Sequence, residues 1–245
     1  MFVIIMGKIV MSRDFFAQRK KAVLFKGDKS SIGNWDEKIA SLCNKINVKD
    51  NYYTTSSCSG RIIVMVDQEK KGDGLFKFVS HDLVNVNEFL KFLNISFSTA
   101  SPTRDLARQF KKFKIMPAYH EIARPPRDTR DFVAQNLVKV KNKFNKKLNL
   151  KFKSEPSIIH IACRNLSDAD NLLRLGQKAG FKKMGIITLN KRIVIEISGS
   201  DRIEFPLMKD GKLLVDENFL KIVIGKSNEN LKKSWEKIKG FEKLI

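Results

Sequence analysis

This chain is poor in the residues that build metal and nucleotide sites. Its 245 residues include only three cysteines and three histidines. Cys43, Cys58 and Cys163 lie far apart and no CxxC or Cys/His ligand spacing occurs, so we expect no zinc, no iron–sulfur cluster and no other metal. An odd cysteine count without a framework points to a reducing, cytoplasmic setting and not to a disulfide scaffold. The Gly-rich dinucleotide loop, the P-loop and the G-x-S-x-G nucleophile elbow are all missing. No apolar run approaches the roughly 20 residues a membrane helix needs, so we expect no membrane partner. The opening MFVIIMGKIVM is too short for a span and lacks a signal-peptide cleavage pattern. Residues 1–11 read as an N-terminal extension, with Met6 and Met11 as alternative starts.

Acid is also scarce. Against 47 Lys and Arg stand 26 Asp and Glu, a formal net charge of +21. Such a field attracts polyanions, and nucleic acid is the first candidate. The excess is uneven: residues 94–153 hold 15 Lys and Arg but 4 Asp and Glu. Helical spacing over Arg104–Lys114 and from Asp128 to Leu148, broken by Pro117, Pro125 and Pro126, makes this segment a basic helical insertion in a single α/β domain spanning residues 12–245. Its lysines suit a phosphate backbone, or else a solvated helical pair with no ligand.

The rest of the chain alternates helical and extended patterns. Residues 12–30 predict a short basic helix and a turn at Gly27–Asp28. Asn34, three residues before Glu37, is a candidate N-cap for an amphipathic helix to Ile46. Strands are expected at Tyr52–Ser56, Arg61–Asp67, Leu75–Ser80, Ser157–Cys163, Gly185–Leu189, Arg192–Ser198 and Ile203–Leu207. Val86–Leu93 should be a short helix, and Ser167 should cap a helix that ends at Gly180. Glu217–Leu244 predicts a long terminal helix with Leu220, Ile224, Leu231, Trp235 and Ile238 inward. The class is α/β or α+β, a mixed sheet flanked by helices. RIIVMV after Arg61 echoes RIVIEI from Arg192, as two related halves or as shared strand composition.

Chemistry concentrates in YYTTSSCSGRIIVMV, Tyr52–Val66. A row of small polar residues from Thr54 to Arg61 between apolar strands reads as a ligand-binding loop, or as a hairpin satisfying its own backbone. Cys58 reads as a small buried thiol or, with a lowered pKa, as a nucleophile. His81 and His160 sit at or in strands beside polar neighbours. His120 lies in the insertion.

Several blocks resemble the tRNA wybutosine-synthesising protein 3 family: YYTTSSCSGRI, SHDL, SEPSIIHIACRNLSDA, AGFKKMGI and RIEFPL. They occur in order across residues 12–93 and 153–245. Near the third strand the chain has Phe76 and Phe78 where a tryptophan is common. The resemblance implies an S-adenosylmethionine-dependent tRNA N-methyltransferase. Its substrate is N4 of the 4-demethylwyosine-type tricyclic guanosine beside the anticodon of tRNA(Phe). A sulfonium donor needs an apolar wall and a few polar anchors, not a phosphate loop. On that basis Ser56, Ser57, Cys58, Ser59 and Gly60 line the donor or base pocket, and Arg61 and Arg164 anchor anions. His81 or His160 orients the base or takes its proton. Tyr53 is a candidate to stack on it. Two alternatives stand beside this reading: a non-catalytic RNA-binding protein, and a thiol enzyme acting through Cys58.

Overall fold

The computed structural model describes residues 3–5, 8–10, 14–25, 36–68, 75–97 and 148–245. Among these are five helices and eleven strands, in the order β1 (Val3–Ile5), β2 (Lys8–Val10), α1 (Phe15–Phe25), α2 (Glu37–Val48), β3 (Tyr52–Cys58), β4 (Arg61–Val66), β5 (Phe76–Ser80), α3 (Val86–Phe97), β6 (Leu150–Glu155), β7 (Ile158–Cys163), α4 (Leu166–Lys178), β8 (Lys183–Thr188), β9 (Ile193–Ser198), β10 (Ile203–Lys209), β11 (Lys212–Leu213) and α5 (Glu217–Leu244). The expected class holds in its α+β form. The single mixed sheet is replaced by antiparallel ones: a β1–β2 hairpin, a four-stranded sheet ordered β3-β7-β9-β8 and a five-stranded sheet ordered β11-β10-β6-β4-β5.

The chain forms two compact units. The first holds residues 1–59, 157–200 and 235–245; the second holds 60–156 and 201–234. The chain enters and leaves each more than once, so the units are not consecutive halves.

In the first unit one face of the four-stranded sheet carries Tyr52, Ile159, Ile161, Cys163, Ile195 and Ile197. The apolar side of α2 (Ile39, Leu42, Cys43, Ile46) packs there, with Ala169 and Leu172 of α4 and Ile238 and Phe241 of α5. Each Leu, Ile or Phe among them, when fully buried, contributes roughly 1.5–3 kcal/mol. Gly176 lets α4 approach closely: a Cβ there would lie 2.9 Å from Met184 Sδ and 3.2 Å from Ile197 Cδ1. The caps differ from the expected ones. Asn34 lies outside the described residues, and α2 is capped by Asp36, whose Oδ1 accepts from Lys38 N at 3.2 Å. Asn165, not Ser167, caps α4, its side chain accepting from Asp168 N at 2.8 Å. Ser167 instead lies inside α4, one residue past its first, so the residue just before the helix takes the cap.

In the second unit Phe78, Phe89, Phe92 and Phe152 form an aromatic cluster, and Phe152 stacks on Phe205 with ring centroids 5.0 Å apart. Leu220, Ile224 and Leu231 of α5 are buried, as the spacing predicts. Asn228 grips the chain before α3, accepting from Val84 N at 2.9 Å and donating to Val84 O at 2.8 Å. The basic segment 94–153 begins inside α3 and ends inside β6. Its expected helices, and His120, fall outside the described residues, as does the turn at Gly27–Asp28. Among the described residues no helix is long and apolar enough to cross a membrane.

Candidate active site

The polar stretch expected as a loop is mostly strand. Ser56, Ser57 and Cys58 are the last three residues of β3, and only Ser59 and Gly60 lie between β3 and β4. Thr54 is buried and serves structure: Asn47 of α2 accepts from its N–H at 2.8 Å and donates to its Oγ1 at 3.0 Å. Ser59 N–H donates to Asp36 Oδ2 at 2.7 Å, tying the end of β3 to the cap of α2. The Ser59 hydroxyl is fully buried and has no hydrogen-bond partner among the described residues. Gly60 follows with φ 110°, the left-handed region where a Cβ is strained.

One irregularity decides what faces what. β3 pairs with β7 as Tyr53↔Ala162 and Thr54↔Ile161, then jumps to Ser56↔His160 and Ser57↔Ile159. Thr55 is the extra residue, and its Oγ1 donates to His160 O at 3.4 Å. Since side chains alternate along a strand, this bulge turns Ser56 to the face opposite the main core. There it meets His160. Ser56 Oγ lies 2.7 Å from His160 Nδ1, and His160 Nε2 lies 2.8 Å from Glu196 Oε2. The three residues are register partners across β3, β7 and β9. Ser56 is exposed, while the His160 and Glu196 side chains are 26% and 29% exposed. Next in the row stands Gly185 of β8, where an added Cβ would meet nothing within 4 Å.

The neighbouring row on that face is apolar. Tyr53, Ala162 and Val194 pair across the same strands and are covered by Phe16 and Val23 of α1. Tyr53 is 1% exposed, its ring 5.2 Å from that of Phe16. The expected base-stacking role of Tyr53 is therefore corrected: its ring is core, enclosed on the helix side by α1. Arg164 is likewise engaged. Its Nη1 donates to Asp14 Oδ2 at 2.8 Å, its Nη2 to Asp50 O at 3.3 Å, and its guanidinium lies 4.8 Å from the Phe16 ring centroid. It pins the start of α1 and is not a free anion anchor. The Asp14 carboxyl is held below the ordinary range by the Ala17 N–H it caps and then by Arg164. Burial lowers Lys20, which donates to Lys49 O and adds a second tether.

The other expected residues divide by unit. Cys58, half-buried at the end of β3, forms no disulfide and lies opposite Ile158. Cys163 faces the core, where burial pushes its thiol up to about 12. In the second unit Arg61 Nε donates to Glu155 Oε2 at 2.8 Å and its guanidinium lies 5.5 Å from the Phe76 ring centroid. The anion it was expected to hold is thus supplied by the chain itself. His81 follows Ser80, the register partner of Ile62, and so sits at the Arg61 end of the β4–β5 pair. Of the two expected histidines, His160 is the one the first unit joins to a residue of the polar block. Glu196 went unread in the sequence, although a lone acid alternating with Ile195 and Ile197 in RIVIEI marks a residue turned from the core.

Comparison with known proteins converges on one family. The family model described as Methyltransferase TYW3 matches residues 18–245. A Thermococcus sibiricus protein named tRNA(Phe) 7-((3-amino-3-carboxypropyl)-4-demethylwyosine(37)-N(4))-methyltransferase is 29% identical over 236 residues, covering 95% of each chain. A protein of the same name from Archaeoglobus fulgidus is 32% identical over 213 residues, covering 86% of this chain and 82% of its own. A Danio rerio protein named tRNA wybutosine-synthesizing protein 3 homolog is 25% identical, covering 96% of this chain and 76% of its own. Among solved structures, the PH1069 protein from Pyrococcus horikoshii superposes with a TM-score of 0.65 at 25% identity, over 93% of this chain and 92% of that one. With three-quarters or more of each of these relatives covered and the family model matching residues 18–245, this chain belongs to the TYW3 family of tRNA methyltransferases.

Proposed function

We propose that the protein methylates N4 of 7-(3-amino-3-carboxypropyl)-4-demethylwyosine at position 37 of tRNA(Phe), in wybutosine biosynthesis, with S-adenosylmethionine as donor. The observation that carries this reading is the match to relatives of that name along nearly their whole length. The net charge of +21 suits a tRNA backbone. Bound S-adenosylmethionine supplies an electrophilic methyl group. Ser57, Cys58, Ser59 and Gly60 are the residues we assign to hold it. The fit rests on Ser59, whose buried hydroxyl has no hydrogen-bond partner among the described residues, beside a Gly60 backbone that a side chain does not crowd. Ser56 and His160 face the substrate nitrogen, where the proton must leave.

The test is direct. Hypomodified tRNA(Phe) carrying the 4-demethyl nucleoside is incubated with the protein and methyl-labelled S-adenosylmethionine, and digested nucleosides are read by mass spectrometry. The expected product is the N4-methyl nucleoside at position 37. Binding of tRNA with no methyl transfer overturns the reading in favour of a non-catalytic RNA-binding protein. Titration of the donor alone should show saturable binding that a Ser57→Ala/Ser59→Ala protein loses.

A further inference from the structure

Three groups in one cross-strand row form a continuous hydrogen-bonded chain from a half-buried carboxylate to an exposed hydroxyl. The carboxylate of Glu196 only accepts, so the His160 nitrogen 2.8 Å away, Nε2, carries the ring proton. In the neutral ring Nδ1 is then the lone-pair nitrogen, and Ser56 Oγ, 2.7 Å from it, donates. Only one tautomer satisfies both contacts. Among the described residues the row is open at both ends: Ser56 is exposed, and a Cβ added at Gly185 would meet nothing within 4 Å. A polar chain made only for stability would have no need to end on an exposed hydroxyl drawn toward a basic nitrogen.

We infer that Glu196 is a positioning residue that locks His160 as its Nε2–H tautomer, making Ser56 Oγ the catalytic proton acceptor for methylation. This deepens, and rests on, the methyltransferase reading. The bookkeeping closes. The substrate nitrogen forms a bond to the methyl carbon as the bond from that carbon to the donor sulfur breaks, and the sulfur leaves as a neutral thioether. The nitrogen's proton passes to Ser56 Oγ while the Ser56 proton passes to His160 Nδ1. The resulting imidazolium, held against the Glu196 carboxylate, later releases its proton to water.

The experiment pairs a spectroscopic with a kinetic readout. Only three histidines contribute ring signals, and His160→Ala identifies the one in question. In 15N-labelled protein at about pH 8.5, well above the ordinary imidazole pKa, His160 should show a protonated Nε2 and an unprotonated Nδ1. Glu196→Gln, whose amide can donate as well as accept, should give mixed tautomers. Its kcat for tRNA methylation should fall at least about tenfold, with KM for tRNA changed less than about twofold. Ser56→Ala should keep the tautomer and lose the rate, a check that does not depend on how Glu196→Gln folds. An Nδ1–H ring in the wild type overturns the lock. Wild-type rates in Glu196→Gln or Ser56→Ala overturn the relay. A wild type inert toward tRNA, with the ring locked, overturns the functional reading and leaves the lock standing.

Discussion

Two rows of side chains lie next to each other on one face of the four-stranded sheet, built from the same three strands. Tyr53, Ala162 and Val194 make the first; Ser56, His160 and Glu196 make the second. The first is dry, closed by Phe16 and Val23 of α1. The second is hydrogen-bonded end to end and open at Ser56. Two residues along a strand separate a packing unit from a reactive one. The bulge at Thr55 makes the difference, since unbroken alternation would send Ser56 toward the helices.

The comparison can be broken from either side. The largest effect is expected at the open row: His160→Ala should slow methylation by about a hundredfold or more, with unfolding midpoint little changed, in single-turnover assays of tRNA. The closed row should do the reverse. Tyr53→Ala empties a buried aromatic site and should cost about 3 kcal/mol in denaturant unfolding, the lower end for large-to-small aromatic changes. A Tyr53→Phe protein, keeping the ring, should retain most of that stability; if it unfolds as readily as Tyr53→Ala, packing is not what the row provides. Between β3 and β4, Gly60→Ala forces a Cβ onto φ 110° and should cost roughly 1–3 kcal/mol. The smallest effect belongs to the second unit. Arg61 and Glu155 are 26% and 25% exposed, so a double-mutant cycle should find a coupling of about 0.2–1 kcal/mol that weakens in salt. That closed ion pair contrasts with the open relay, because its charges already satisfy each other.

One strand also sets two titratable groups on opposite faces. Cys163 sits three residues beyond His160 on the core side, its thiol raised from 9.0 to about 12 by burial. A raised folded-state value means that its stabilising contribution is complete below 9.0 and is lost as pH climbs toward about 12. Cys163→Ala should therefore flatten the alkaline fall in stability seen by denaturant titration. Alkylation at neutral pH should label Cys58, half-buried, ahead of Cys163.

What the sequence disclosed followed periodicity. Leu220, Ile224, Leu231 and Ile238 were legible as one helix face because a 3.6-residue repeat over 28 residues admits little else. Ile159, Ile161, Ile195 and Ile197 were legible as strand residues for the corresponding reason. The caps were off by two residues, because several small polar residues compete there and only chain direction chooses Asp36 and Asn165. Ser57 and Cys58, beyond the strand expected at Tyr52–Ser56, read as loop because Ser favours turns, whereas pairing with β7 overrode that preference. The site itself needed contacts across 104 and 36 residues of sequence, Ser56 to His160 and His160 to Glu196. Resemblance supplied the chemistry and two of those residues. Only the register supplied the third.

The most direct measurement is methyl transfer by wild-type and Ser56→Ala proteins to hypomodified tRNA(Phe), with tRNA affinity determined in parallel. The wild type should methylate N4 at position 37, and Ser56→Ala should lose rate without losing affinity. Methylation at the wild-type rate by Ser56→Ala, or none by the wild type, would contradict this expectation.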